Sequence, residues 1–281
     1  MMKLRRWILL VAVTSTVPLA GGTPAFVAPS VTAAERIDGV QAPVSSSGYF
    51  KLLPAGSALP SPTDCALAVH RSSSKPRPKN QQWAIDYPFH VDPWSGVTTA
   101  WNDVRDRVTG DMAGFVDDDG TPPKTDEVIQ FFACKWGLDD NWMRAEALVE
   151  STWRQRFAGD WTTNFSWCAP GAPTRNGGAE CAQSLGLTQI KTRLRPESIY
   201  PAIWNSLVAH LDYYGWEFRG CIEGQKWVAS GQLSTPNDLR GCLGNWFSGG
   251  WYDAAGENYY ATVKGYYDIL TWLFGIARAS S

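Results

Sequence analysis

Glu150 is the residue of this sequence whose type and position best suit it for chemistry. It lies at the end of an apolar helical segment that begins near Met143. A carboxyl group in that position loses hydration on one side, and the loss raises its pKa because burial disfavours the charged form. A glutamic acid that keeps its proton near neutral pH can donate it to a glycosidic oxygen. The alternative is a solvated glutamate that only ends a helix.

Two later segments carry groups that suit a sugar ligand. In the stretch Ser184–Ile190, Gly186 tolerates an unusual φ angle, and the amide of Gln189 both donates and accepts hydrogen bonds. The stretch Asn245–Trp251 sets aromatic rings beside glycines, as the wall of a binding groove would. Either stretch alone is common in ordinary loops, so the order of the segments along the chain carries the argument.

Helices must position these groups, and the spacing of apolar residues predicts where the helices lie. A helix with Thr125 as its N-cap is expected to end at Gly137. A second helix, capped by Asp139 or Asp140, is expected to continue to about Trp153 and to carry the candidate acid.

Two more helices are predicted, over residues 197–214 and, with an apolar face from Tyr259 to Phe274, near the end of the chain. No strand alternates with these helices, and no internal repeat is found. The predicted fold class is therefore mainly α, with irregular loops and an extended N-terminal strap that includes the basic stretch Arg71–Lys79.

The first 34 residues have the pattern of an export signal. Basic residues precede a short apolar run from Trp7 to Val13, and an alanine-rich cleavage site ends at Ala34. The apolar run is too short to span a bilayer comfortably. The protein is therefore expected to be secreted to the extracellular space or cell wall, with no membrane span after signal cleavage.

Composition divides the remaining chain and excludes one class of partner. Residues 35–60 are rich in Ser, Pro, Gly and Ala and predict a flexible N-terminal segment, whereas residues 61–281 predict one domain with its core over 125–275. The net charge of -2 gives no support for nucleic-acid binding. Most of the 15 tryptophans are expected in the core, with a few in a groove where an indole ring can stack on a sugar. A monomer is expected.

Six cysteines follow the export signal, and an even number in an exported chain indicates disulfide bonds. Their number does not fix the pairing, but proximity in the sequence favours Cys168 with Cys181 and Cys221 with Cys242, which leaves Cys65 for Cys134. There is no C-x-x-C motif, and the three histidines are scattered, so no metal site is expected.

The order of the segments resembles the soluble lytic transglycosylases, which belong to a lysozyme-like group that includes goose-type lysozyme. A helix ending in Glu150-Ser151, a Gly-Leu-x-Gln turn, an aromatic segment with glycines and a tyrosine-rich helix follow in that order over 125–274, about half of the chain. The resemblance implies a lysozyme-like catalytic domain that cleaves peptidoglycan glycan strands with a single catalytic glutamate, here Glu150.

The resemblance also implies a set of residues that bind substrate. Gln189 matches the glutamine of the family's Gly-Leu-Met-Gln turn, and either Tyr259 or Tyr260 matches a tyrosine on its last helix. The predicted substrate-binding residues are Ser151, Ser184, Gln189, Trp246, Ser248, Tyr259 and Tyr260.

Three departures from the family pattern bear on the outcome of the reaction. Thr188 stands in place of a methionine, and Trp246-Phe247-Ser248-Gly249 stands in place of Ala-Tyr-Asn-Ala-Gly. Phe247 cannot make the hydrogen bonds of an asparagine. The interval from Glu150 to Gln189 is longer than in the family and contains two cysteines, which indicates a disulfide-pinned loop near the cleft.

The family reaction needs neither a metal nor an organic cofactor. Glu150 would protonate the bridging oxygen of the MurNAc–GlcNAc β-1,4 bond while the substrate's acetamido group stabilises the positive charge. The same residue would then deprotonate the 6-hydroxyl group, whose attack gives a 1,6-anhydro-muramoyl end.

Two other functions stay open. A hydrolytic muramidase requires a second carboxylate to activate water; of the candidates Asp160 and Glu146, Asp160 is the better one, although its Gly-Asp-Trp setting favours a role in a turn. Glu146 is expected to be structural, paired with Arg193 or Arg195. A non-catalytic wall-binding protein is the third possibility.

The acidic stretch Asp117–Asp119 with Gly120 partly resembles a calcium loop. The match fails at the first ligand position, where Phe115 stands instead of a carboxylate. A solvated acidic turn is predicted there.

Overall fold

Helices dominate the part of the chain that the structure describes, and one small antiparallel sheet interrupts them. The computed structural model describes residues 48–71, 77–115, 120–228 and 231–269. The helices are α1 (Pro62–Ala68), α2 (Thr99–Asn102), α3 (Thr125–Trp136), α4 (Asp140–Ser151), α5 (Ala202–Asn205), α6 (Leu207–Ile222), α7 (Leu239–Ser248) and α8 (Ala254–Ile269). The strands are β1 (Ala158–Thr162), β2 (Thr174–Arg175), β3 (Glu180–Leu185) and β4 (Ile190–Lys191).

The sheet is a finding that the sequence did not predict. β3 lies at its centre and pairs antiparallel with β1, β2 and β4. The Cys168–Cys181 disulfide links β3 to the segment that precedes it. The expectation that no strands occur is wrong for residues 158–191, because these strands are short and irregular and lack a long alternating pattern. The coarser expectation of a mainly helical fold is confirmed.

Helix α3 forms the centre of the core, and all of its residues are buried. It ends at Gly137 in the left-handed conformation, as predicted. The predicted N-cap is wrong by one residue. Lys124 is the cap, and its backbone N–H donates to Glu127 Oε2 at 2.8 Å. The Thr125 hydroxyl group instead accepts from the Asn80 side chain at 3.0 Å, so it ties an upstream loop to the start of α3.

A single buried carboxylate joins α3 to α6. Asp212 accepts from Lys135 Nζ and Trp136 Nε1, both at 2.9 Å, and from the backbone N–H groups of Thr109 and Gly110 at 2.8 and 2.9 Å. Lys135 and Asp212 have fully buried side chains. Since a buried charge is tolerated only when it is paired and hydrogen-bonded, this arrangement fixes three segments at once.

Helix α4 carries the candidate acid, and polar contacts fix both of its ends. Asp139 accepts hydrogen bonds from the backbone N–H groups of the first turn. Of the two predicted candidates, Asp139 is therefore the N-cap, and Asp140 is not. The fully buried Arg144 pairs with Asp126 at 2.6 Å and also with Asp140. The helix ends at Ser151, two residues before the predicted end, because Thr152 adopts a positive φ of 52°.

The helix predicted over 197–214 is broken in the structure. A cis Tyr200–Pro201 peptide bond precedes the short α5, and Ser206 then caps a separate α6 by accepting from Ala209 N at 3.0 Å. Helix α7 was predicted only as a groove segment, yet Asp238 caps it by accepting from Gly241 N at 2.9 Å.

Residues 48–60, the described part of the predicted flexible segment, make hydrogen bonds to the helices. Leu53 N donates to Gly137 O at 2.9 Å, and Arg219 donates to Leu53 O at 2.7 Å and to Pro54 O at 2.8 Å. These residues form an extended segment upstream of the basic stretch for which the sequence predicted a strap. Residues 72–76 of that stretch lie outside the described residues.

The three disulfides are Cys65–Cys134, Cys168–Cys181 and Cys221–Cys242, which confirms the pairing favoured by sequence proximity. The export signal, the acidic residues 117–119 and the predicted helix end at Phe274 lie outside the described residues. Within the described ranges, no helix has the length and apolar character needed to cross a membrane.

Replacing Asp212 by asparagine should destabilise the protein by about 3–5 kcal/mol, because Lys135 would be left as a buried cation without its anion. Denaturant unfolding of Asp212→Asn and wild type measures the difference. Asp268→Asn, which breaks the exposed Lys264–Asp268 pair, is the control and should leave the unfolding midpoint nearly unchanged. Equal effects of the two substitutions would contradict the anchoring role of Asp212.

Candidate active site

Three parts of the fold converge on Glu150. The residue lies in the last turn of α4, where its side chain is half-buried. Tyr259 on α8 donates its hydroxyl hydrogen to Glu150 Oε1 at 2.5 Å. Asp160 on β1 and Lys191 on β4 are near enough to act electrostatically on the same carboxyl group. The site is thus built from two helices and one edge of the sheet.

Burial raises the pKa of Glu150 from its ordinary value of 4.5 to about 7. The hydrogen bond from Tyr259 lowers the pKa, the negative charge of Asp160 raises it, and the positive charge of Lys191 lowers it. Desolvation is the largest of these effects, as the sequence predicted for the end of an apolar helix. At neutral pH a large share of the molecules carries a proton on Glu150 that a bound substrate could receive.

An exposed aromatic ring stacks on the tyrosine that contacts this acid. Phe247 on α7 stacks on Tyr259 with ring centres 4.7 Å apart and planes 8° apart, and 53% of Phe247 is exposed. Tyr260 points elsewhere and stacks with Trp142 at 5.9 Å. Of the two tyrosines that the sequence left open, Tyr259 is therefore the one at the acid. The Phe247 ring offers a flat, partly exposed apolar surface next to Tyr259.

Asp160 is the second carboxyl group of the site. Its Oδ2 accepts from Ser184 Oγ at 2.6 Å and lies 3.1 Å from Lys191 Nζ. Partial burial acts to raise the pKa of Asp160, but the hydrogen bonds from Ser184 and Lys191 and the charge of Lys191 outweigh it, so the pKa is lowered. Asp160 is therefore ionised under conditions in which Glu150 still holds its proton.

The two carboxyl groups thus have pKa values that their surroundings shift in opposite directions. Helices α4 and α8 shield the Glu150 carboxyl group from water, whereas half of the Asp160 side chain is exposed and contacts the cation of Lys191. A carboxyl pair divided in this way provides one proton donor and one stable anion, which is the arrangement that glycoside cleavage uses.

The Gly-Leu-Thr-Gln turn packs on a buried histidine. Gly186 has φ +80°, and a Cβ there would lie 2.4 Å from His210 Cε1, so only glycine fits. Burial lowers the pKa of His210 to about 3, and the ring is therefore neutral. Its Nδ1 donates to Ile203 O at 3.1 Å, which leaves Nε2 to accept from Thr188 N at 3.1 Å.

Gln189 holds this turn against strand β1. Its Nε2 donates to Phe157 O at 3.0 Å and to Gly186 O at 2.9 Å. Its Oε1 lies against Gly159, where a Cβ would come within 2.4 Å. Both amide hydrogens that the resemblance assigns to substrate are therefore committed to backbone carbonyl groups in this structure.

The three predicted serines also use their hydroxyl groups within the protein. Ser151 Oγ donates to Leu187 O at 2.7 Å and so fastens the end of α4 to the turn. Ser184 donates to Asp160, and Ser248 donates to Gly244 O at 3.0 Å within α7. In this structure, these serines position the site; their substrate contacts stay a prediction.

Trp246 supports the turn from the other side. Its Nε1 donates to Thr188 O at 3.1 Å, and its ring lies beneath the cations of Arg195 and Lys226, at 5.1 and 5.6 Å. Glu217 joins these two cations, with contacts of 2.5 Å to Arg195 and 2.8 Å to Lys226. Burial acts to raise the pKa of Glu217, but the two cations outweigh it, and the pKa is lowered.

Glu146 lies behind the acid and does not reach solvent. The expected pairing with Arg193 or Arg195 is wrong, because Arg195 binds Glu217. Glu146 Oε2 instead accepts from Tyr214 Oη at 2.5 Å. Burial raises its pKa well above the ordinary value.

Sequence reasoning missed the roles of Lys191, His210 and Tyr214. Lys191 follows Gln189 by two residues, but its role depends on a strand pairing that the sequence did not reveal. No group of three or more potential metal ligands is clustered within the described residues. Comparisons of the chain with protein-family models, curated proteins and solved structures returned no match.

The raised pKa of Glu150 makes the stability of the protein depend on pH. The folded state holds this proton more tightly than the unfolded chain, so the resulting stabilisation is complete below pH 4.5 and is lost as the pH rises through about 7. Glu150→Gln cannot ionise. The unfolding free energy of the variant minus that of wild type should therefore be more positive at pH 8 than at pH 4, by on the order of 2–3 kcal/mol.

Denaturant unfolding at pH 4, 6 and 8 measures this gain, with Glu197→Gln at an exposed position as the control. A difference between Glu150→Gln and wild type that stays constant over this range would show that Glu150 is solvated like any surface glutamate.

Proposed function

We propose that this protein cleaves the glycan strands of peptidoglycan, with Glu150 as the general acid. One observation carries the proposal: a half-buried carboxyl group with a pKa of about 7 is held by Tyr259 beside the exposed ring of Phe247. A protonated carboxyl group is what a glycosidic oxygen requires in order to leave, and an aromatic face is what a pyranose ring stacks on.

The arrangement of the site also supports a lysozyme-like catalytic domain. The acid lies in the last turn of a helix, a small antiparallel sheet follows, and the Gly-Leu-Thr-Gln turn joins two strands of that sheet ahead of the remaining helices. Ser151 joins the helix end to that turn through Leu187 O. These are the segments in which the sequence resembles the soluble lytic transglycosylases.

The first form of the reaction is that of a lytic transglycosylase. Glu150 donates its proton to the bridging oxygen between MurNAc and GlcNAc, and the bond to the muramoyl anomeric carbon breaks. The resulting carboxylate accepts a hydrogen bond from Tyr259 and removes the proton of the 6-hydroxyl group. That oxygen then bonds to the anomeric carbon and gives the 1,6-anhydro end, so Glu150 regains its proton.

The second form is that of a hydrolytic muramidase, and Asp160 specifically favours it. This carboxylate is ionised, interacts electrostatically with Glu150, and is held by Ser184 and Lys191. An anion in that position can stabilise the positive charge on the sugar or direct a water molecule to it. The product would then be a reducing end.

The three disulfides are compatible with an extracellular location, because disulfides persist in oxidising compartments. We therefore place the proposed activity outside the cell, at the cell wall, and propose a monomeric enzyme that acts on glycan strands.

Digestion of purified peptidoglycan followed by mass spectrometry of the fragments tests the proposal. Wild type should release glycan fragments. The cleavage rate of Glu150→Gln should be lower by about 100-fold or more, because an amide group is too weak an acid to protonate the glycosidic oxygen. Anhydro ends would support the transglycosylase, and reducing ends would support the muramidase.

Asp160→Asn separates the two reactions further. A hydrolase should lose activity with this variant, whereas a transglycosylase that relies on Glu150 alone should keep most of its anhydro product. Binding of wild type to peptidoglycan without any fragments would overturn the proposal and would indicate a wall-binding protein.

A further inference from the structure

Lys191 contacts Asp160 and acts electrostatically on Glu150, and the proposed reactions give it no catalytic step. Its Nζ is 3.1 Å from Asp160 Oδ2, and its charge also acts on Glu150. Both members of the ion pair are partly exposed, at 42% for Lys191 and 50% for Asp160. An ion pair that only stabilised the surface would be worth little at that exposure.

The pairing of three strands brings this lysine to the site. In the strand register, Ser184 lies opposite Lys191 on one side and opposite Gly159, the residue before Asp160, on the other. Ser184 and Lys191 are therefore cross-strand neighbours, and both donate to the same oxygen of Asp160. Asp160 itself has φ 49°, a conformation that is uncommon for a residue other than glycine.

We propose that Lys191 is a positioning residue that holds the Asp160 carboxylate against Ser184 and keeps it ionised, so that Asp160 is the anion of a pair in which the dehydrated Glu150 is the proton donor. The role rests on the proposed glycan-cleaving function of the site. It deepens that function by assigning the ionised state of Asp160 to one cation on β4.

The groups that face this pair come from every element around it. Helix α4 contributes Glu150 and, behind it, Glu146, and helix α8 contributes Tyr259. Strands β1, β3 and β4 contribute Asp160, Ser184 and Lys191. Lys191 is the one cation that acts on both carboxyl groups of the site among the described residues.

The direction of the effect follows from charge. Lys191 lowers the pKa of Asp160 through direct contact and lowers that of Glu150 from farther away. Removing the cation should raise both pKa values. Asp160 would then stay protonated to higher pH, so activity that depends on its anion would fall at acidic pH. Glu150 would keep its proton to higher pH, so activity that depends on this proton would extend to more alkaline pH.

Lys191→Met removes the charge and keeps the length of the side chain, and Lys191→Arg retains the charge. Carboxyl ¹³C NMR titration of wild type and both variants, with signals assigned from Glu150→Gln and Asp160→Asn, measures the two groups directly. We expect both midpoints to move to higher pH in Lys191→Met and to remain at the wild-type positions in Lys191→Arg. Lys264→Met, which removes a lysine from an exposed pair on α8, should move neither.

The pH dependence of kcat/KM on peptidoglycan provides the second readout. If the reaction is the hydrolysis in which Asp160 takes part, kcat/KM of Lys191→Met should fall about three- to tenfold on the acidic side, the size of a charge effect that solvent partly screens. Unmoved midpoints in Lys191→Met, or movement of only one carboxyl group, would overturn the proposal. Because the titration requires no turnover, a wild type that cleaves no peptidoglycan would refute the proposed function separately.

Discussion

The removal of water from the Glu150 carboxyl group is the constraint on which the rest of the site depends. A glutamate in bulk water would be ionised at neutral pH and would have no proton to donate. Here the last turn of α4, Tyr259 and the exposed edge of the sheet surround the group while leaving it partly open. The neighbouring segments serve to hold that partly dehydrated geometry.

Several residues near the site have backbone conformations that cost free energy. Thr152, Trp153, Asp160 and Gln189 all have positive φ angles, and such residues cost of the order of 1–3 kcal/mol each. They lie at the end of α4, on β1 and in the Gly-Leu-Thr-Gln turn, close to the proposed chemistry in each case. Buried networks around Asp212 and Glu217 offset this strain by fixing the helices on which the site is built.

The sequence predicted the parts of this site that depend on local pattern. Helical spacing located α3 and α4, and the apolar run before Glu150 predicted its dehydration, which the structure supports with a raised pKa. Proximity along the chain was enough for the disulfides, because two of the pairs close short loops.

Features that depend on contacts between distant residues were not predictable in this way. The sheet has strands of two to six residues whose pairing is set by the loop closed by Cys168–Cys181. The cation Lys191 reaches Asp160 only through that pairing, and Gln189 turns back to the backbone of β1. The choice between Tyr259 and Tyr260 needed the orientation of α8, which no local pattern defines.

The pH at which Glu150 ionises in the wild-type protein is the most direct test of its proposed role as the acid. Carboxyl ¹³C NMR, with the Glu150 signal identified by its absence in Glu150→Gln, follows that ionisation without any assumption about substrate. We expect a titration midpoint at about pH 7. A midpoint near 4.5, the ordinary value for glutamate, would mean that water reaches the group freely, and the proposed acid would then lack its proton.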